Sequence, residues 1–133
     1  MISVRLFFRG KMDICCRKTP IGILFVTEED GCITAIDLLR ENDPIPREQK
    51  ETPVIREAFR QIDEYFAGKR REFTLPLKLI GTDFQVKVWQ AMMTVKYGET
   101  ASYGDIAKLI GQPKACRAVG GANHRNPLFL VVP

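Results

Sequence analysis

The sequence predicts an α+β protein in which an N-terminal α/β lobe with a small antiparallel sheet precedes a C-terminal helical lobe with a helix-turn-helix. Two β-rich runs, residues 21–27 and 32–38, flank Asp30-Gly31, a pair typical of a tight hairpin turn. Apolar residues then recur at helical spacing over residues 54–66. Two short helical patterns later flank Gly111-Gln112-Pro113, and a short glycine-containing link of this kind is typical of a helix-turn-helix.

The N-terminal lobe is assigned to residues 1–80. Val4, Leu6 and Phe8 are apolar residues at alternate positions, which predicts a first half-buried strand. Thr52-Pro53 predicts the start of a helix, because a threonine hydroxyl caps the first turn and proline suits the first helical position. Gly68 is expected to end that helix, and residues 69–80 are expected to be extended and to lead into the second lobe.

The C-terminal lobe is assigned to residues 81–133 and is predicted to begin with a helix capped by Thr82 or Asp83. This helix is expected to end at Tyr97-Gly98. One of its faces carries the apolar side chains of Phe84, Val88, Trp89, Met92 and Val95. The single tryptophan is therefore predicted to belong to the core.

The helix-turn-helix is predicted to comprise a first helix over residues 102–110 and a second from Pro113 to about Arg125. The second helix carries mostly small side chains, with Arg117 as the long exception. Because each glycine of Gly120-Gly121 costs roughly 1 kcal/mol in a helix relative to alanine, we expect a partner to approach the backbone closely there. DNA binding and tight packing between helices explain this pattern equally well.

Composition favours one globular domain or two small lobes that remain soluble in the cytoplasm. The 133 residues are 45% hydrophobic and 27% charged, with no run long enough for a membrane span or an early signal peptide. The net charge of +4 permits a nucleic-acid partner, and residues 81–133 hold 6 basic and 3 acidic groups. The cysteines, which lack Cys-x-x-Cys spacing, are predicted to be reduced thiols rather than metal ligands: Cys15, Cys16, Cys32 and Cys116.

Several segments together resemble one family. In the C-terminal lobe these are residues 81–89, 97–107, 117–122, and Asn126-Pro127 with the apolar run to Pro133; in the N-terminal lobe they are residues 19–22, 65–69 and 75–77. The chain resembles the O6-alkylguanine-DNA alkyltransferases, or methylated-DNA–protein-cysteine methyltransferases. The resemblance implies a ribonuclease-H-like N-terminal lobe and a monomer that needs no cofactor or metal. It also implies DNA repair: binding of double-stranded DNA containing O6-alkylguanine, flipping of that base, and irreversible transfer of its alkyl group to the protein's own cysteine.

The resemblance also implies roles for individual residues of the second lobe. Arg117 matches an arginine that fills the space left by the flipped base, and Tyr103 matches a tyrosine beside the target's phosphate. Asn126 matches an asparagine that supports the turn before the active-site strand. The small residues that would let the second helix enter the minor groove are Ala118, Gly120, Gly121 and Ala122. The expected DNA-binding set is completed by Ser102, Lys114 and Arg125, with His124 as a further phosphate contact.

The alkyl acceptor itself is expected directly after Pro133. In the family, the apolar strand that ends at this proline continues into a Cys-His-Arg motif, whose histidine helps to lower the pKa of the cysteine. The 133 residues do not contain that motif, and Cys116 precedes Arg117 rather than following the apolar run. We therefore expect that this chain is shortened from a longer parent protein. The shortened chain is expected to bind DNA without accepting the alkyl group.

Two other functions remain open at this point. The chain is alternatively a non-catalytic, alkyltransferase-like protein that binds damaged DNA, although such relatives keep another residue in place of the cysteine. The other alternative is a helix-turn-helix regulator that reads DNA through Arg117 and its neighbours. This alternative leaves the family resemblance of the first lobe unexplained.

Overall fold

The computed structural model describes residues 12–132, and the chain divides after Lys78 into two compact units. The predicted strand over residues 4–8 lies outside the described residues. The division falls two residues before the domain boundary expected at residue 80. Each unit is described by itself below.

The first unit contains a three-stranded antiparallel sheet. Its strands, in both chain and spatial order, are β1 (Met12–Thr19), β2 (Gly22–Glu29) and β3 (Cys32–Leu38). Asp30 and Gly31 have φ angles of 53° and 78°, so the β2–β3 loop has the left-handed backbone of a two-residue hairpin turn, as predicted.

β1 was not predicted from the sequence. Asp13, Arg17 and Lys18 interrupt its apolar pattern, and Ile14 is its one fully buried residue among the eight. The strand forms instead through backbone pairing along the whole of β2, with Cys15 opposite Val26. A pattern based on side-chain burial does not register pairing of this kind.

Helix α1 (Pro53–Phe66) packs on this sheet. The Thr52 hydroxyl accepts a hydrogen bond from the Ile55 amide at 3.2 Å, and Gly68 follows the helix with a φ angle of 73°, so both predicted ends are confirmed. The helix buries Ile55, Ala58, Phe59 and Ile62 completely. Burial of a large side chain of this type stabilises a fold by about 1.5–3 kcal/mol.

The extended segment that follows α1 is attached to the unit at two points. Ile33 of β3 donates to the Pro76 carbonyl at 2.7 Å and accepts from the Lys78 amide at 3.0 Å, which makes an isolated parallel bridge. Buried Gln61 of α1 binds Thr74 through both ends of its amide, with the Thr74 amide donating to Oε1 at 2.9 Å. These bonds satisfy a side chain that would be costly to bury alone.

The second unit consists of three helices: α2 (Asp83–Met92), α3 (Tyr103–Leu109) and α4 (Cys116–His124). α2 and α3 both start with a capping box, formed by Thr82 with Gln85 and by Ser102 with Asp105. α2 ends at Met92 and not at Tyr97 as predicted, because the chain turns through Met93 and Thr94. The buried core contains Val88, Trp89, Met92, Ile106, Ala107, Val119, Ala122, Leu128 and Val132.

The helix-turn-helix is present, but its second helix starts three residues later than predicted. Gly111 ends α3 with a φ angle of 76°. The Ala115 amide then donates to the Gln112 carbonyl at 2.9 Å and closes a separate turn. Pro113 occupies the second position of that turn, where its fixed φ is as well suited as at a helix start. α4 therefore begins at Cys116 and not at Pro113.

The apolar run after Pro127 was predicted as a strand, but residues 129–131 form a turn and Leu128 takes part in a β-bridge. The amides of Val131 and Val132 both point back to the Leu128 carbonyl, at 2.9 and 2.7 Å. Leu128 and Val132 are nevertheless fully buried. A short apolar run indicates burial without determining the backbone, and here local hydrogen bonds select the turn.

None of the helices within residues 12–132 has the length and apolar character that crossing a membrane requires.

Candidate DNA interface

Helix α4 has one buried side and one exposed side. Val119 and Ala122 point into the core, whereas Arg117, Ala118 and Gly121 are exposed. Positions 117, 118 and 121 lie on neighbouring parts of a helical surface, so Arg117 projects from a region with otherwise minimal side chains. Such a surface lets a bulky partner reach the backbone while one cation extends into it.

Exposed basic groups lie at both ends of this surface. Lys114 stands in the turn before α4, while His124 and Arg125 stand at its C-terminal end. The cations of Lys114 and Arg125, arranged in this way, neutralise phosphates along a nucleic-acid backbone. The predicted contacts Lys114, Arg117 and Arg125 are thus all solvent-accessible in the second unit.

The small residues of α4 serve different purposes. A Cβ on Gly120 would stand only 3.2 Å from Cε2 of the Tyr103 ring, so Gly120 is small because an aromatic ring packs against it. A Cβ on Gly121 would meet nothing within 4 Å. Gly121 is therefore free for close approach of a partner, and Gly120 is committed to packing between helices.

Ala122 does not fit its expected position in the minor groove. Its side chain is buried, and its carbonyl accepts a 2.9 Å hydrogen bond from the indole Nε1 of Trp89. Gly81 approaches the same indole so closely that a Cβ there would come within 2.8 Å of the ring. Trp89 is thus core, as predicted, and it joins the start of α2 to α4.

Tyr103 is the first residue of α3, and the residue is 46% exposed. One edge of its ring lies on Gly120, and its phenol oxygen accepts a hydrogen bond from Nδ2 of Asn123 at 3.1 Å. The two helices of the motif thereby hold a half-exposed phenol beside the exposed side of α4. Asn123 was absent from the predicted site. Its spacing of three residues from Gly120 is the signal that would have placed both on one helical face.

Ser102 has a structural role at the start of α3. Its hydroxyl accepts from the Asp105 amide at 3.0 Å, and its own amide donates to Oδ2 of Asp105 at 2.9 Å. Hydrogen bonding to the Asp105 carboxyl, first by the Ser102 amide and then by the Ser102 hydroxyl, lowers the pKa of that carboxyl. Ser102 is thus engaged with Asp105 through both its amide and its hydroxyl group.

Asn126 holds the turn that ends the described chain. Its Oδ1 accepts from the Leu128 amide at 2.8 Å, and its Nδ2 donates to the Val132 carbonyl. One side chain therefore bridges both ends of the turn that brings Leu128 and Val132 into the core. Through these bonds Asn126 fixes the path of the chain after α4.

The four cysteines are spread over both units and are free thiols. Cys116 is exposed at the start of α4, one residue before Arg117. Burial is the main cause that raises the pKa values of Cys15 and Cys16, which opposes the thiolate form that a nucleophile needs. Neither β1 thiol has the electrostatic environment of an activated cysteine.

Both units match known families. Residues 15–79 match the ribonuclease-like domain of 6-O-methylguanine DNA methyltransferases, and residues 83–133 match the DNA-binding domain of the same proteins. The N-terminal match agrees with the ribonuclease-H-like lobe that the resemblance implied, and the C-terminal match includes the whole helix-turn-helix.

Curated relatives extend this similarity over most of the chain. The constitutive methylated-DNA–protein-cysteine methyltransferase of Bacillus subtilis is 49% identical over 122 residues, which span 87% of this chain and 74% of the relative. The methylated-DNA–protein-cysteine methyltransferase of Mycobacterium leprae is 44% identical over 124 residues, 90% of this chain and 75% of its own.

Crystal structures of related proteins share this fold. The Mycobacterium tuberculosis O6-methylguanine methyltransferase superposes with a TM-score of 0.83 at 40% identity, over 92% of this chain and 76% of its own. The structure of M. tuberculosis OGT in complex with DNA gives a TM-score of 0.79 at 41% identity, over 91% and 75% of the two chains. With both domains and these relatives in agreement, this chain belongs to the methylated-DNA–protein-cysteine methyltransferase family.

Proposed function

We propose that this protein acts in DNA repair by binding duplex DNA that contains O6-alkylguanine and by turning the alkylated base out of the stack. The second unit is the DNA-binding part. In this proposal α4 lies in the minor groove, Arg117 occupies the space left by the base, and Tyr103 contacts a phosphate of the target nucleotide. Lys114 and Arg125 neutralise phosphates on either side, and His124 contacts a further phosphate.

The observation that carries the proposal is the exposed side of α4, where Arg117 stands among the minimal side chains of Ala118 and Gly121. Extrusion of a base costs a few kcal/mol, and a planar cation that stacks and donates hydrogen bonds recovers part of this cost. The match of residues 83–133 to a DNA-binding domain gives independent support. A related protein, M. tuberculosis OGT, was solved in complex with DNA, which supports DNA as the partner.

The repair chemistry that we propose for the cysteine of the family's Cys-His-Arg motif is a direct displacement. A cysteine thiolate attacks the alkyl carbon, a carbon–sulfur bond forms, and the bond from that carbon to O6 of guanine breaks. The electron pair of the broken bond stays on the base, which takes up a proton and becomes ordinary guanine. Because the thioether is stable, each acceptor reacts once.

We also propose that residues 1–133 bind the alkylated duplex without accepting its alkyl group. Cys15 and Cys16 have raised pKa values, and both belong with Cys32 to the first unit. Cys116 lies on the exposed side of the helix that carries Arg117, where it would face the DNA backbone rather than a pocket for the flipped base. The acceptor that the family uses belongs to a Cys-His-Arg motif, and the 133 residues do not contain one.

Intact-mass measurement after incubation with a methylated duplex tests the chemistry. The B. subtilis relative serves as a positive control, because its name identifies it as a methyltransferase acting on methylated DNA. We expect the relative to gain one methyl group and this 133-residue chain to keep its mass. A methyl group on any of the four cysteines of this chain would contradict the proposed lack of transfer.

Binding measurements separate repair from regulation. Tighter binding to an alkylated duplex than to the same unmodified duplex supports damage recognition. Because we propose that the protein is a monomer, one chain should bind per lesion. Affinity that follows the base sequence and ignores the lesion would instead identify a helix-turn-helix regulator. Each titration uses one salt concentration, since phosphate contacts make affinity strongly salt-dependent.

A further inference from the structure

The hydrogen bond between α3 and α4 has a defined direction. Asn123 donates through Nδ2 to the phenol oxygen of Tyr103 at 3.1 Å. The phenol oxygen is then an acceptor in this bond, so its own proton remains available to another group. Tyr103 is 46% exposed, and the exposed side of the motif is therefore where that proton can be donated.

Contact with α4 also restrains the Tyr103 ring. Gly120 lies against the ring edge, with a would-be Cβ at 3.2 Å from Cε2 and 3.3 Å from Cδ2. Gly120 and Asn123 are three residues apart on α4, so the same helical face supports the ring and holds its hydroxyl group. The phenol has less freedom to rotate than a tyrosine that only touches solvent.

We infer that Asn123 is a positioning residue for DNA binding, which fixes the Tyr103 hydroxyl so that its proton points outward to a phosphate oxygen beside the target nucleotide. This inference rests on the proposed function, in which Tyr103 contacts that phosphate. Asn123 itself touches no DNA. Its contribution is to keep the phenol oxygen occupied as an acceptor, and an anionic phosphate oxygen is a strong acceptor for the remaining proton.

Two substitutions at position 123 affect the phenol differently. Asn123→Ala removes the donor and frees the hydroxyl to rotate. Asn123→Asp keeps the shape but replaces the donor with an acceptor, so the phenol proton turns inward to the carboxylate. If the direction of the phenol proton matters for DNA binding, Asn123→Asp weakens binding more than Asn123→Ala does. Gln90→Glu is the control for charge, because it makes the same amide-to-carboxylate change at an exposed position of α2.

The experiment measures affinity of the 133-residue chain for a duplex with one O6-methylguanine, at fixed salt. We expect a loss of about three- to tenfold for Asn123→Ala, the range of one neutral hydrogen bond, and a larger loss for Asn123→Asp. Gln90→Glu should stay within about twofold of the parent chain. In a Tyr103→Phe background, Asn123→Ala should cost less than about twofold, because the phenol that it positions is absent.

A neutralised phosphate provides a second readout that a purely structural role does not change. Each of the two phosphates flanking the lesion is replaced in turn by an uncharged methylphosphonate. We expect the loss caused by Asn123→Asp to shrink on one of these two duplexes. An undiminished loss on both duplexes, or an undiminished loss in the Tyr103→Phe background, would overturn the inference. The inference alone would be overturned if the parent chain prefers the lesion, Tyr103→Phe weakens binding and Asn123→Ala leaves the affinity unchanged. If the parent chain shows no preference for the lesion, the proposed function is overturned together with the inference.

Discussion

Gly120 lies against the edge of the Tyr103 ring, and its neighbour Gly121 faces open space. The two glycines are adjacent in one helix and share the same intrinsic cost of roughly 1 kcal/mol relative to alanine. They differ in what surrounds them, and this difference separates packing within the motif from access to a partner.

Alanine substitutions at the two glycines should have different effects on folding. Gly121→Ala gains helix propensity without a clash and should raise the free energy of unfolding by up to about 1 kcal/mol. Gly120→Ala gains the same propensity but must displace the Tyr103 ring, so we expect no net stabilisation. Urea unfolding measures both. Equal stabilisation by the two substitutions would show that the ring does not restrict position 120.

Arg117→Ala should weaken binding to the alkylated duplex by at least about tenfold, or about 1.4 kcal/mol, because the gap left by the flipped base is no longer filled. Arg47→Ala is a matched control, since it removes the same charge from an exposed position in the first unit. Fluorescence anisotropy with labelled duplex provides the affinities. Similar losses of affinity for the two variants would show that Arg117 makes only a general electrostatic contribution.

Asn126→Ala should lower the free energy of unfolding by about 1–3 kcal/mol, because it leaves partly buried backbone groups at Leu128 and Val132 without their partners. Asn126→Asp keeps an acceptor for the Leu128 amide but removes the donor to the Val132 carbonyl. It should therefore also destabilise the second unit. If chemical denaturation gave parent-like values for both variants, the bridging role of Asn126 would be refuted.

Acid should destabilise the first unit partly through Glu57. Hydrogen bonds from Arg60, and then from Gln61, lower the pKa of this carboxyl from 4.5 to about 2. A carboxyl whose folded-state pKa is depressed adds stability above its unfolded pKa, and that stability is lost as the pH falls from about 4.5 to 2. Because the side chain is 41% exposed, solvent screening keeps the effect small. Glu57→Gln should flatten this part of a plot of unfolding free energy against pH, and parallel plots for variant and parent would disprove the assignment.

The parts of the fold that depend on local sequence could be predicted. Asp30-Gly31 determines its own turn, and Thr52-Pro53 determines its own helix start, because the controlling groups lie within a few residues. Elements that depend on distant partners could not be predicted in the same way. β1 exists through pairing with β2, and its charged residues conceal it in the sequence.

In the candidate site, too, features set by local sequence could be predicted and features set by distant partners could not. Arg117 and its small neighbours are visible in the sequence as an unusual helical surface, whereas the different environments of Gly120 and Gly121 depend on where α3 places the Tyr103 ring. Asn123 was missed because its partner is twenty residues away. The run after Pro127 differs from the predicted strand because its six apolar residues signal burial alone, and the Asn126 side chain selects a turn.

The most direct test of DNA damage recognition is the affinity of the 133-residue chain for two duplexes that differ only in one O6-methyl group. Extrusion of a modified, poorly paired base costs less than extrusion of guanine from a normal pair. We therefore expect severalfold tighter binding to the methylated duplex, with the preference reduced by Arg117→Ala. Equal affinities for the two duplexes would contradict the proposed function.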